Sequence, residues 1–215
     1  MIMWTNQPYV VYEQLRQTGI FRCDPKQSDM LDDPECLMAY QWMVAQMKKR
    51  IGLPPTGVEL PVWAWYRSRD FQHVRPDFRW SNDYDDQVCL EIDVPEAAVL
   101  LSDFQGWHAV LNDFYYPAVT NETEWEQAMA RYDQLSARKQ QRLKEQSWQR
   151  IFDITPWHGE WTSNGELVQG CFWQLEWRNV RRAWRLKRGR KCGSWWWLVK
   201  TFTCNLNYWE QGNDW

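Results

Sequence analysis

The sequence has no C-x-x-C pair, no P-loop, no G-x-G-x-x-G, no G-x-S-x-G and no H-E-x-x-H. These absences remove the best-defined signatures of phosphate cradles, dinucleotide folds, nucleophile elbows and zinc hydrolases. Histidine is scarce, with three copies. Glu91 and Asp93 sit two apart, on one face of a strand pattern, but no histidine or third carboxylate stands at ligand spacing, so no metal is expected. No apolar run approaches membrane-spanning length, and no membrane partner is expected. The opening residues lack a charged start and an apolar run, so no signal peptide is read. The six cysteines, at 23, 36, 89, 171, 192 and 204, are then expected to be reduced thiols in a cytoplasmic protein. Formal net charge is −3, so overall charge does not mark a polyanion binder. There are no internal repeats.

What the chain does have is tryptophan, 18 copies in 215 residues. Each ring carries a large apolar area and an N–H that needs a partner. They suit a core of large rings, a stacking pocket, or both. The most informative stretch is Pro61-Val62-Trp63-Ala64-Trp65-Tyr66-Arg67. It reads as a strand, with Val62, Ala64 and Tyr66 on one face and Trp63, Trp65 and Arg67 on the other. Both faces are apolar, which predicts a central strand. Its end leads into a loop bearing Arg69, His73, Arg75 and Arg79. Trp63, Trp65, Arg67, Arg69 and His73 are therefore candidate ligands for a flat, anionic molecule. The alternative is a tryptophan core beside a solvated basic loop.

Other elements follow from spacing. Asp33, Pro34 and Glu35 open a helix, with Leu37, Tyr40, Val44, Met47 and Ile51 expected on its buried face. Residues 88–94 alternate as a second strand. Ser102 or Asp103 caps a helix bearing Phe104, Trp107 and His108. Thr123-x-x-Glu126 reads as a capping box for one long helix burying Trp125, Met129, Tyr132 and Leu135, its end from 136 to 146 projecting into solvent. Residues 167–177 read as a third strand. A basic run without an acid spans 178–191, and Arg181, Arg182, Arg185 and Arg188 in it are candidate phosphate contacts for RNA or DNA. A solvated strand is the alternative. Residues 192–215 change character and are read as a Trp-rich extension, leaving 1–191 as one domain.

Several blocks carry a resemblance. They are Trp4-Thr5-x-Gln7, Tyr12-x-x-Leu15-x-x-x-Gly19, Ala39-Tyr40-x-Trp42-Met43-x-x-Gln46-Met47, Pro61 to Trp65, Leu100-Leu101-Ser102-Asp103-Phe104 and Gln169-Gly170-x-Phe172-Trp173. Together they resemble an uncharacterised bacterial family, domain of unknown function 3841. More distantly, the order of strands and the Gln-Gly-x-Phe late strand resemble ADP-ribosyltransferases, which bind NAD in a cleft between two small sheets. That resemblance implies NAD as a substrate, with Thr5 or Gln7 at the ribose, Tyr66 at nicotinamide, and Gln169 or Glu176 in the place of a catalytic glutamate. The sequence as a whole predicts an α+β single domain: a twisted, mostly antiparallel sheet of at least four strands with two or three packed helices. Three functions follow as expectations. One is an NAD-cleaving transferase in which Tyr66, Gln169 and Glu176 act. The second is a non-catalytic module for a nucleotide, RNA or DNA. The third is a plain interaction protein.

Overall fold

A strand buried on both faces needs neighbours on both edges and cover above and below. The first strand, β1 (Ile2–Pro8), meets that description, with Met3, Thr5 and Gln7 buried on one side and Trp4 and Asn6 on the other. The computed structural model describes residues 1–68, 86–156 and 164–186. Along these residues the chain runs through β1, α1 (Tyr9–Thr18), β2 (Ile20–Phe21), α2 (Pro34–Arg50), β3 (Val62–Arg67), β4 (Gln87–Asp93), β5 (Leu100–Asp103), α3 (Phe104–Leu111), α4 (Glu122–Asp133), α5 (Ala137–Ser147), β6 (Val168–Phe172), β7 (Leu175–Glu176) and β8 (Val180–Leu186). The fold is α+β, with a mostly antiparallel sheet of six strands and a separate β2-β7 pair. Among the described residues there are five α-helices, two of which, α4 and α5, stand where the sequence suggests one long helix. Among the described residues, no helix is long and apolar enough to cross a membrane. The segments that held Arg69, His73, Arg188 and the extension from 192 lie outside the described residues.

Contacts divide the chain into two compact units. The first contains the described residues within 1–64, 86–99 and 171–186, and its strands follow the order β3-β1-β4-β8. β1 and β4 are antiparallel, from Ile2 opposite Asp93 to Pro8 opposite Gln87. β4 and β8 are antiparallel too, with a bulge at Glu91 and Ile92. Helix α1 ends at Gly19, whose φ of +80° is open to glycine and strained for other residues. Asp33 caps α2 by accepting from the Glu35 amide at 2.8 Å, and Pro34 takes the first position, as the sequence predicts. Its buried face is Cys36, Ala39, Tyr40, Met43 and Met47. Leu37, expected in the core, is 37% exposed, and Val44 is half-buried. The buried stripe is rotated toward Met43, and Tyr40 on it packs edge-on against Trp63, ring centroids 6.1 Å apart.

The second unit contains the described residues within 65–68, 100–156 and 164–170, and β5 lies next to β6. Asp103 caps α3, accepting from the Gly106 amide at 2.7 Å. Gly106 is tight: an added Cβ would stand 3.0 Å from Ile151 Cγ2. The cap of α4 has the predicted spacing but sits two residues earlier. Asn121 Oδ1 accepts from the Glu124 amide at 3.0 Å, and the Glu124 carboxylate accepts from the Thr120 amide at 2.8 Å. The box expected at Thr123 and Glu126 is therefore not the one used. No residue of α4 is buried, and Trp125 is 40% exposed, against the expectation of a core face. In α5, residues 137–146 are expected from the sequence to project into solvent, but Lys144 is buried; Ser147, beyond that stretch, is buried too. The predicted strand 167–177 stops at Phe172 and resumes only as the short β7.

Candidate functional site

The second unit holds the residues of most chemical interest. The Phe104 amide donates to the Leu167 carbonyl at 2.9 Å, which sets the end of β5 beside the start of β6. β5, which carries Ser102, and β6, which carries Gln169, are neighbours in the sheet. One face is fixed by contacts. Trp65 packs on Phe104, with centroids 4.9 Å apart. Arg67 donates to the carbonyls of Ile154, at 3.2 Å, and of Gly165. The Gly165 amide in turn donates to Asp103 Oδ2 at 2.8 Å. Trp65, Arg67 and Asp103 thus share one face. Alternation along β3 and β5 points Tyr66 and Ser102 to the opposite one, although the Arg67 guanidinium still lies 5.9 Å from the Tyr66 ring centroid.

On β5 and β6 two polar atoms stand out. Ser102 Oγ and Gln169 Nε2 are buried, and neither has a hydrogen-bond partner. Their residues are 0% and 3% exposed. A buried donor without an acceptor costs about 1–3 kcal/mol. Ser102 Oγ and Gln169 Nε2 are two of nine such atoms among the described residues, and these two stand on adjacent strands. Tyr66, at the end of β3, is half-buried.

The face that carries Asp103 is structural. Asp103 uses both carboxylate oxygens on backbone amides, tying the start of α3 to the Gly165 turn. Burial raises its pKa despite those hydrogen bonds. Burial lowers the pKa of His108, whose Nδ1 donates to the Phe104 carbonyl at 2.8 Å. Tyr116 is held protonated by burial. Gly165 carries a φ of +74°, and a Cβ there would fall 2.5 Å from the Ile154 carbonyl oxygen. Arg67 is thus a clamp between two backbone carbonyls.

The remaining residues singled out in the sequence lie in the first unit. Thr5 Oγ1 donates to the Trp63 carbonyl at 2.7 Å, and Gln7 Nε2 donates to Thr5 Oγ1 at 2.9 Å. This buried chain stitches β1 to β3. Trp63 is buried against Tyr40. Glu176 is in β7, paired with Arg178 at 2.7 Å and accepting from Gln174 Nε2 at 3.3 Å. The arginines of β8 meet acids of the first unit. Arg181 reaches Glu91 at 3.9 Å and Asp93 at 3.6 Å, and Arg182 reaches Glu91 at 3.8 Å. Arg185 forms a fork with Asp86 and lies over the Tyr9 ring, 3.7 Å from its centroid. Burial pushes the Cys171 thiol up, which disfavours the thiolate a nucleophile needs.

The family model described as "Domain of unknown function (DUF3841)" matches residues 2–181. The chain belongs to the DUF3841 family. Neither the curated proteins nor the solved structures gave a match. In this DUF3841 chain, sequence reasoning singled out Gln169 and Tyr66 and passed over Ser102, which it paired with Asp103 as alternative helix caps. Asp103 makes the cap. The signal that separates them is strand alternation, which turns adjacent residues to opposite faces.

Proposed function

We propose that this DUF3841 chain binds a nucleotide, of which NAD is the test case, at Ser102 and Gln169 on the adjacent strands β5 and β6 and at Tyr66 of the next strand, β3. The observation that carries the reading is the pair of buried, unpartnered atoms, Ser102 Oγ and Gln169 Nε2. An amide donor beside a hydroxyl that both donates and accepts fits the polar edge of a heterocycle or a ribose hydroxyl. A half-exposed tyrosine ring at the end of the neighbouring strand fits the flat face of a base or of nicotinamide, and such stacking is worth roughly 1–3 kcal/mol. The ligand would enter by displacing the chain over these residues, since both polar residues are closed off in the free protein.

Cleavage of NAD, the finer expectation, would need a carboxylate beside the developing positive centre. Glu176 is already neutralised by Arg178, and Asp103 is spent on backbone amides. These pairings favour binding over transfer. The test is calorimetric titration of the wild type and Tyr66→Ala with NAD and with adenosine monophosphate, alongside an assay for nicotinamide release. Binding by the wild type, at least tenfold weaker in Tyr66→Ala with the melting temperature kept, supports the reading. A wild type that binds neither ligand overturns it. Nicotinamide release would move the assignment from binder to transferase.

A further inference from the structure

Helix α5 carries Arg138, Lys139, Arg142 and Lys144 against one acid, Glu145. Lys144 is buried and paired with Asp113. Glu145 accepts from Gln141 Nε2 at 2.7 Å. Arg138, Lys139 and Arg142 are exposed, and they form no ion pair with another described residue. At 100° per residue Arg138 and Arg142 lie together in the middle of the solvent face, with Lys139 at its border, opposite the buried side of Lys144 and Ser147.

This placement works against the helix. Arg138 and Arg142 are like charges at i,i+4, which destabilises. Arg138 and Lys139 stand in the first turn, where the helix dipole is positive and acids are favoured. The first turn has no acid, and Ser136 makes no side-chain cap. A solvated helix selected for stability would carry glutamates there. The arginines of β8 show the contrast, since each of Arg181, Arg182 and Arg185 meets a carboxylate.

We propose that the exposed face of α5 is a docking surface for the phosphate backbone of nucleic acid. Three unpaired cations on one face give the charge complementarity, and guanidinium forks suit phosphate oxygens. This surface is independent of the Tyr66 face. It moves the expected phosphate contacts from the paired arginines of β8 to α5.

The experiment is fluorescence anisotropy of the full chain with a labelled single-stranded RNA and with a labelled DNA duplex, over a series of salt concentrations. The variant is Arg138→Gln/Lys139→Gln/Arg142→Gln, and the control is Arg181→Gln/Arg182→Gln. The α5 variant should melt no lower than the wild type, since it removes repulsion. Its affinity should fall at least tenfold, and the slope of log K against log salt should shrink by roughly 2–3, as for three lost phosphate contacts. The two probes distinguish single-stranded from duplex partners, and binding of either supports the proposal. An α5 variant that binds as the wild type does, or a wild type that binds neither probe at low salt, overturns it. So does an equal loss in the β8 control.

Discussion

Replacing Ser102 with alanine should make the protein more stable. The substitution removes a buried hydroxyl whose oxygen has no hydrogen-bond partner and leaves every other atom in place. The folded state then no longer carries the cost of an unsatisfied buried group, about 1–3 kcal/mol. The void left is the size of one oxygen, too small to offset that gain. Gln169→Met applies the same logic to Nε2 with nearly the same side-chain volume, and should also stabilise by about 1–3 kcal/mol. The two residues sit on adjacent strands, and a double variant that gains less than the sum would show them coupled. For a chain of this size each kilocalorie is worth roughly 2–4 °C in melting temperature. Calorimetric melts and urea titrations of the two single variants and the double variant are the assay. A loss of more than about 1 kcal/mol in Ser102→Ala would refute the reasoning. It would mean that the hydroxyl is satisfied in the free protein, by a trapped water for instance, and that the face is ordinary core.

Asp103→Ala deletes the acceptor of the Gly106 and Gly165 amides at once, and should cost about 2–4 kcal/mol in denaturant titration, since it removes a cap and strands a buried N–H. The pH dependence of stability should show His108. Its folded pKa lies below 6.5, so the unfolded chain takes up a proton that the folded chain refuses, and stability falls as pH drops through 6.5. Asp103, with a raised pKa, acts in the opposite sense and further into the acid range. His108→Gln should therefore flatten the loss below 6.5, read by melts across a pH series. In α2, Met43→Ala should cost about 2–5 kcal/mol and Leu37→Ala less than about 1, a contrast that a double set of urea titrations resolves.

The elements that announce themselves by local chemistry were legible. Asp33-Pro34-Glu35 sets the start of α2 because cap, first-turn proline and dipole act within one turn of helix. The stretches read as strands, 61–67 and 88–94, match β3 and β4 to within one residue at each end. The face of α2 was misread in part: Tyr40 and Met47 are buried as expected, but Leu37 and Val44 are seven apart, like Cys36 and Met43 one residue earlier, and small residues such as Cys36 and Ala39 carry little hydrophobic signal. The break between α4 and α5 went unread because Gln134, Leu135 and Ser136 include neither glycine nor proline. The Ser102–Gln169 pair is a matter of strand order: β5 meets β6 across intervening helices, and no spacing in the chain states that. The basic run was visible as composition, but its pairing with Glu91, Asp93 and Asp86 depends on β8 lying beside β4.

The central claim is that Ser102 and Gln169 are held unsatisfied for a ligand. It is tested most directly by calorimetric titration of NAD and adenosine monophosphate into the wild type and into Ser102→Ala/Gln169→Met, with a melt of each. The account predicts that the wild type binds one of the two and that the double variant, though more stable, binds it at least tenfold more weakly. A double variant that is more stable and binds equally well, or a wild type that binds neither nucleotide, would contradict it.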